Sequence, residues 1–336
     1  MTRSAARQAF LETAGWAAAE RAPLAGDASA RSYMRLTLAT QSAVLMDTPL
    51  GAADDPAQFV MIANHLTALG LSAPRCIVQD LAQGFLLLED FGDGVFAWIL
   101  QDAPHREIAL YSQAVKVLHH LQSHPAPHGL PNLSTTDWAD AAMLSLTRYA
   151  AGITGQPPKA DDLHTALAIA MARYSNGPRV LILRDYHAEN LMHLPDRTGL
   201  AQVGLLDFQL AQMGQPSYDL VSLLQDARRD VAPTTQAAMR AEFLSLTGQL
   251  ETDFAAAYAC FGAQRALRIL GIFAQLCTHQ GKPQYLPLIP RVWHHLQQNL
   301  AHPALQDLAK ICARDLPQPS PAALQHLRST CQTCPS

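Results

Sequence analysis

At 336 residues, with 49% apolar and only 15% charged side chains, the chain can bury one large or two ordinary cores and does not have the composition of a disordered segment. Its 24 basic and 28 acidic residues leave a formal net charge of −4, which gives no electrostatic footprint for nucleic acid. No apolar run reaches the ~20 residues of a membrane-spanning helix, so no membrane partner is expected.

The first 20 residues place Phe10, Leu11 and Trp16 among polar and charged neighbours. They lack the unbroken apolar core of a signal peptide and predict an amphipathic opening helix of a cytoplasmic protein. Ser32–Leu38 alternates, with Tyr33, Arg35 and Thr37 on one side and Met34, Leu36 and Leu38 on the other. It is expected to pair with Ser42–Met46 through Ala39-Thr40-Gln41 as a hairpin. Asp55-Pro56 opens a helix that carries Phe59, Ile62, Ala63, Leu66 and Leu69 to a stop at Gly70. Cys76–Asp80 and Phe85–Leu88 predict a second hairpin, which ends in Glu89-Asp90-Phe91-Gly92-Asp93-Gly94, a hinge-like linker.

Beyond the linker the pattern turns helical. Ala109–Gln122 sets Leu110, Ala114, Val117, Leu118 and Leu121 on one stripe. Val180–Leu183 and Val203–Leu206 are short apolar strands, Tyr218–Leu224 begins a buried helix, and Phe254–Leu276 predicts a long one. Residues 152–160 and 317–323 read as loops. The six cysteines are scattered, which predicts reduced thiols; Cys331-x-x-Cys334 has no second pair at zinc-site spacing and predicts an ordinary tail. His119, His120, His124 and His128, and the pair His294-His295, show no ligand set with carboxylates or thiolates, and are expected to be solvated or capping residues.

The two short strands carry the chemistry. The first leads into Arg184-Asp185-Tyr186-His187-Ala188-Glu189-Asn190, the second into Asp207-Phe208. An Asp, an Asn within one loop of it, and a second Asp at a strand end suffice to transfer an ATP γ-phosphoryl group. Asp185 would accept the proton of an acceptor hydroxyl, and Asn190 and Asp207 would hold Mg²⁺. Asp and Asn are also ordinary loop formers, but a carboxylate ending an apolar strand needs a cation or donors, and that weighs toward the metal.

On these motifs the chain resembles the aminoglycoside phosphotransferase and protein-kinase-like superfamily over nearly its whole length. The resemblance implies an α+β, two-lobed protein-kinase-like fold with a small antiparallel-sheet N-lobe and a mainly helical C-lobe. Residues 1–88 would form the nucleotide-binding N-lobe, 89–94 the hinge meeting adenine through Glu89 and Phe91, and 95–336 the helical lobe with the acceptor site. Asp219 would steady the catalytic loop or cap its own helix.

Gly26-Asp27-Ala28-Ser29 with Arg31, Tyr33 and Arg35, then Val44–Pro49, then Gln264-Arg265-Ala266-Leu267 with Leu270, Gly271 and Phe273, are similar to a bacterial branch of anomeric sugar kinases. That branch acts on N-acetylmuramate and N-acetylglucosamine in cell-wall (peptidoglycan) sugar recycling. The implied activity is ATP- and Mg-dependent formation of a sugar 1-phosphate by a monomer. The alternatives are a kinase of another small hydroxyl compound, of aminoglycoside, choline or homoserine type, and a silent pseudokinase.

The pattern departs from kinases at one strand. Met46 stands where a Lys should meet the α- and β-phosphates, and the helix after it has no partner Glu. Arg31 or Arg35 is expected to supply the missing cation, with Gly26 and Ser29 in a turn over the phosphates. His187, in the catalytic loop, would orient that loop or touch the acceptor. Arg265, Trp138 and Trp293 are candidate sugar contacts, with core packing as the competing reading of each Trp.

Overall fold

The computed structural model describes residues 2–24, 31–49, 51, 55–174 and 177–331. Two compact units divide the chain, Met1–Leu130 with Leu183–Gln212, and Pro131–Ile182 with Met213–Ser336.

In the first unit α1 (Arg3–Thr13) starts on the Thr2 side chain, which accepts the Ala5 N–H. Its Phe10 and Leu11 pack into a cluster with Leu36, Leu45, Phe85 and Leu87 of a five-stranded antiparallel sheet. The strands are β1 (Glu20–Leu24), β2 (Ser32–Leu38), β3 (Gln41–Asp47), β4 (Cys76–Asp80) and β5 (Phe85–Glu89), in the order β1-β2-β3-β5-β4. The β2 alternation is observed as expected. Leu36 is fully buried and Met34 and Leu38 pack on the α1 side, so Tyr33, Arg35 and Thr37 fall on the opposite face.

Two residues, Ala39-Thr40, connect β2 to β3, with Ala39 at φ 55°. Strand β1 has no counterpart in the sequence expectations. It is exposed along nearly its whole length and contains Pro23, so it shows no alternation. Only an edge strand tolerates such a residue.

Between β3 and β4 lies α2 (Pro56–Ala68), capped by the Asp55 carboxylate on Ala57 N–H at 2.8 Å and ended at Gly70, φ 75°. After the linker come α3 (Phe96–Asp102) and α4 (Glu107–Gln122). The chain then builds part of the second unit as α5 (Thr135–Ala142), α6 (Ala151–Thr154), α7 (Asp161–Tyr174) and β6 (Val180–Ile182). It returns at Leu183 to form an antiparallel hairpin, β7 (Leu191–His193) with β8 (Val203–Leu205).

The second unit resumes with β9 (Gln212–Gly214), α8 (Ser217–Leu224), α9 (Pro233–Thr247), α10 (Glu251–Gln280), α11 (Ile289–Leu300), α12 (Gln306–Asp315) and α13 (Pro321–Ser329). The 30-residue α10 is its axis, with nearly every inward position buried. Gly281 closes it at φ 63°, and the Lys282 N–H donates back to Leu276 C=O. Gly271 lets α10 approach the turn at Leu144 so closely that a Cβ there would overlap the Leu144 backbone.

One sequence expectation is corrected here. The cysteines are not all free thiols, because Cys277, late in α10, is joined to Cys331 after α13, with Cα atoms 5.1 Å apart. The two positions are 54 residues apart in sequence, so no local spacing signals the pair. Cys76, Cys260 and Cys312 remain free thiols; Cys334 lies outside the described residues.

Candidate active site

The residues that follow β6 and flank the β7–β8 hairpin converge within the first unit. Arg184 adopts φ 72°, a left-handed conformation uncommon for a residue with a side chain, and the Asp185 N–H then donates to Leu183 C=O at 2.9 Å. The tight reversal turns Asp185 out as a half-buried carboxylate. Immediately after it Tyr186, 2% exposed, anchors the loop by donating its hydroxyl to Ala114 C=O of α4 at 2.8 Å.

Asn190 closes the loop on itself. Its amide Nδ2 donates to Asp185 C=O at 2.9 Å and lies 3.4 Å from His187 Nε2. That orientation commits the nitrogen and leaves the Oδ1 oxygen as the atom that could ligate a cation. His187 is buried beside it, inside the loop.

Asn190 and Asp207 are brought to the same end of the hairpin by the ladder itself. Leu191 pairs with Leu205, and one step further the Leu206 N–H donates to Asn190 C=O at 2.9 Å. Asp207 comes next, at φ 55°, the second left-handed residue of the site. Strain of this kind is kept where the surroundings over-determine it. Here Phe208, fully buried, stacks on Phe59 of α2 with ring centroids 4.8 Å apart. The Asp207 carboxylate Oδ1 accepts from Arg31 Nη2 and from Gln209 Nε2, each at 2.9 Å.

Arg31 has only 5% of its side chain exposed against 33% for Asp207, so the guanidinium is fixed while the carboxylate still faces solvent. Met46, 1% exposed, sits on β3 opposite Tyr33 and Leu86 and brings no charge. Arg31, not Arg35, is thus the cation that the structure sets beside Asp207.

Arg35 points elsewhere. Its guanidinium binds Asp90 (Nε to Oδ2, 2.8 Å), Asp93 (Nη1 to Oδ1, 2.8 Å) and the Gly92 carbonyl at 2.9 Å. Burial opposes its charge, but the bonds to Asp93 and Asp90 outweigh that and raise its pKa. Glu89 carries Arg75 Nε at 3.2 Å and Arg197 Nη2 at 2.6 Å on its carboxylate, and Arg197 also lies over the Phe91 ring, 5.0 Å from its centroid. The Glu89 carboxylate is therefore taken up by two arginines of the chain itself. Arg197 lies in the β7–β8 loop, and nothing in its sequence neighbourhood signals it.

Gly26 and Ser29 lie outside the described residues. The remaining candidates belong to the second unit. Trp138, 3% exposed, packs on Tyr218 and Phe261 in the α10 core. Trp293 is half-buried against the same core, with Tyr149 6.4 Å away. Arg265 is 5% exposed and donates Nη2 to Ser222 Oγ at 2.7 Å. Both tryptophans make packing contacts with this core.

The donor set suits a small hard cation. Among the described residues no three His, Cys, Asp or Glu side chains gather as a metal cage. An Asn oxygen and one partly solvated carboxylate at a hairpin end are hard oxygen donors, which would suit Mg²⁺ together with phosphate oxygens and water.

The model of a phosphotransferase enzyme family matches residues 20–259. The chain belongs to this family. An N-acetylmuramate/N-acetylglucosamine kinase of Caulobacter vibrioides is 38% identical, the alignment covering 91% of this chain and 94% of that protein. A protein of the same name from Pseudomonas aeruginosa is 32% identical, with 89% of each covered.

Among solved structures, a choline/ethanolamine kinase family protein from Mesorhizobium loti superposes with a TM-score of 0.62 at 14% identity, covering 98% of this chain and all of that one (100%). A putative aminoglycoside phosphotransferase from Ralstonia eutropha gives the same TM-score, 0.62, at 17% identity, over 91% of this chain and 98% of its own. At such identities these two establish the fold alone, and it is the α+β kinase-like fold that the motifs imply. None of the helices among the described residues is long and apolar enough to cross a membrane.

Proposed function

We propose that this chain transfers the γ-phosphoryl group of ATP to the anomeric hydroxyl of N-acetylmuramate, N-acetylglucosamine or both, giving the sugar 1-phosphate. The observation that carries the phosphoryl-transfer reading is the junction of Asp185, Asn190 and Asp207 at one end of the β7–β8 hairpin. The acceptor class is supported by the sugar kinases that align along nine-tenths of the chain.

Each residue then has a task. Asp185 accepts the proton of the acceptor hydroxyl as the oxygen attacks phosphorus. Asn190 Oδ1 and the Asp207 carboxylate would hold Mg²⁺, which would supply charge neutralisation for the phosphates when bound. Arg31 takes the place of the strand lysine as the fixed cation facing the triphosphate. Its burial keeps the charge preorganised, so little reorganisation is needed when phosphate arrives. Tyr186 and His187 hold the loop so that Asp185 and Asn190 keep their spacing. The hinge backbone near Glu89–Phe91 receives adenine.

The test is incubation of the purified protein with ATP, Mg²⁺ and a panel of amino sugars, aminoglycosides and small amino-alcohols, followed by ³¹P NMR. A sugar 1-phosphate is the expected product. Turnover only with amino-alcohols or aminoglycosides overturns the acceptor assignment, and no turnover with any hydroxyl compound overturns the kinase reading.

A further inference from the structure

We propose that Arg197, together with Arg35, is a positioning residue that braces the hinge, so that the adenine-binding backbone is held in register with the metal-bearing hairpin. The inference rests on the nucleotide-site reading above. It concerns a residue to which neither the motifs nor that reading assigns a role.

Arg197 sits in the loop between β7 and β8, midway along the chain between the two proposed metal ligands. From there its guanidinium reaches back to the hinge. Nη2 donates to Glu89 Oε1 and Nη1 to Ser72 Oγ, both at 2.6 Å, and the plane covers Phe91. Ser72 is itself tied to the same hairpin. Its hydroxyl donates to Ala201 C=O at 2.6 Å, and its carbonyl accepts the Leu205 N–H at 2.8 Å. The far end of the linker is stitched to β7, where the His193 N–H donates to Gly94 C=O at 2.6 Å. Gly204 leaves the space that the Phe91 ring occupies, since a Cβ there would stand 2.9 Å from that ring.

Arg35 grips the linker from the sheet. Its bonds to Asp90, Asp93 and the Gly92 carbonyl fix the turn that Arg197 and Glu89 approach from the hairpin. Arg75 adds little, being 72% exposed where it meets Glu89. Two guanidiniums with four hydrogen bonds to it thus pin a six-residue linker to the sheet on one side and to the hairpin on the other, and a fifth bond ties Arg197 to Ser72. A forked, planar donor suits this better than an ammonium, because one side chain meets several fixed acceptors at once.

Lone ion pairs this exposed would contribute little to stability. Here their product is geometry. The hinge backbone, Asn190 and Asp207 must all meet one nucleotide, and Arg197 is the side chain that joins the hinge to the strands bearing the other two. Loss of the brace is therefore expected in nucleotide affinity before it appears in the chemical step.

The experiment compares R197M, R197K, R35M and E89Q with the wild-type chain. It measures AMP-PNP–Mg²⁺ affinity by calorimetry, KM for ATP and kcat separately, and hydrogen exchange of the amides over residues 86–96. R197M is expected to raise both the analogue Kd and the ATP KM by about tenfold, within the range seen for coupled members of one salt-bridge network, and to leave kcat within about threefold. R197K recovers part of the affinity, R35M shifts affinity in the same direction, and the hinge amides exchange faster in R197M. R197M combined with E89Q is expected to be no worse than R197M alone.

A folded R197M that binds the analogue as wild type does, with unchanged hinge exchange, overturns the brace. So does a loss confined to kcat. Should R197M not fold, R197K and E89Q carry the same comparison. A wild-type chain that binds no nucleotide overturns the nucleotide reading instead, and the hinge exchange of R197M then decides the brace by itself, faster exchange upholding it and unchanged exchange ending it.

Discussion

Replacing Asp207 by Asn separates the charge of the site from its scaffold. The Asp207 Oδ1 accepts two donors, Arg31 Nη2 and Gln209 Nε2, both at 2.9 Å, and an amide oxygen can accept the same two. What the variant loses is a negative charge beside a guanidinium that is 5% exposed. Removing a partner from a fully buried pair costs about 3–5 kcal/mol. The Asp207 side chain is 33% exposed, so solvent screens the change, and about 1 kcal/mol is expected. That lowers the melting temperature by a few degrees and leaves the protein folded at 25 °C. The chemical step should fare far worse. Loss of one preorganised charge contact to a transferring group lowers kcat by about 10³-fold, or roughly 4 kcal/mol. The assay couples ADP release to NADH oxidation at saturating ATP and amino sugar, with a Mg²⁺ titration and a thermal melt on the same preparation. A D207N enzyme with kcat within about tenfold of wild type and an unshifted Mg²⁺ requirement would refute the assignment.

Arg31→Met should lower kcat/KM for ATP by about 10²-fold, read by the same coupled assay, because among the described residues no other cation pairs with Asp207 in place of the strand lysine; an unchanged value removes Arg31 from the phosphate side. Gly271→Ala would ordinarily add about 1 kcal/mol of helix propensity, yet its Cβ would overlap the Leu144 backbone, so a net loss of about 2 kcal/mol is expected in urea unfolding, with an unchanged m-value. Stability should also decline as pH falls below about 6.5, the ordinary value for His. His65 and His295 are both lowered, chiefly by burial, so the folded state favours the neutral rings. The unfolded chain then binds more protons below that pH, and the stability present above it is lost as pH falls through the folded values. His295→Gln should flatten the slope seen in urea titrations between pH 7 and 5, and an unaltered slope would exclude His295 as its source.

Elements with a local signature were legible in the sequence. Strand β2 announces itself by alternation, and α2 by Asp55, Pro56 and Gly70 at its ends. The proposed catalytic loop and Asp207 stand out in the sequence because phosphoryl transfer restricts residue type and spacing at once. The misses share a physical cause, which is that they depend on distant partners. Strand β1 is exposed and holds Pro23, and it is a strand only because β2 supplies a ladder. Cys277 finds Cys331 only when α13 returns to α10. Arg31 and Arg35 are alike as residues, four positions apart. Which one meets Asp207 and which the hinge is decided by strand orientation and by the placement of acids nearly 60 or more residues away.

The missing lysine gains a fuller meaning from these contacts. In kinases the strand lysine does two things, touching the phosphates and joining its strand to the following helix through a Glu. In this chain the tasks are divided. Charge falls, in the proposed function, to Arg31, which is paired with Asp207. Attachment of α2 falls to apolar contact, the Phe59–Phe208 stack, assisted by Gln58 Nε2 donating to Ala211 C=O at 3.4 Å. An aromatic stack is not screened by salt and does not titrate, whereas a Lys–Glu pair is subject to both. With α2 fixed to the segment that carries Asp207 by this stack and the Gln58 hydrogen bond, neither a Lys at position 46 nor a Glu on α2 has a structural duty left, which is why the two could be absent together without dismantling the site.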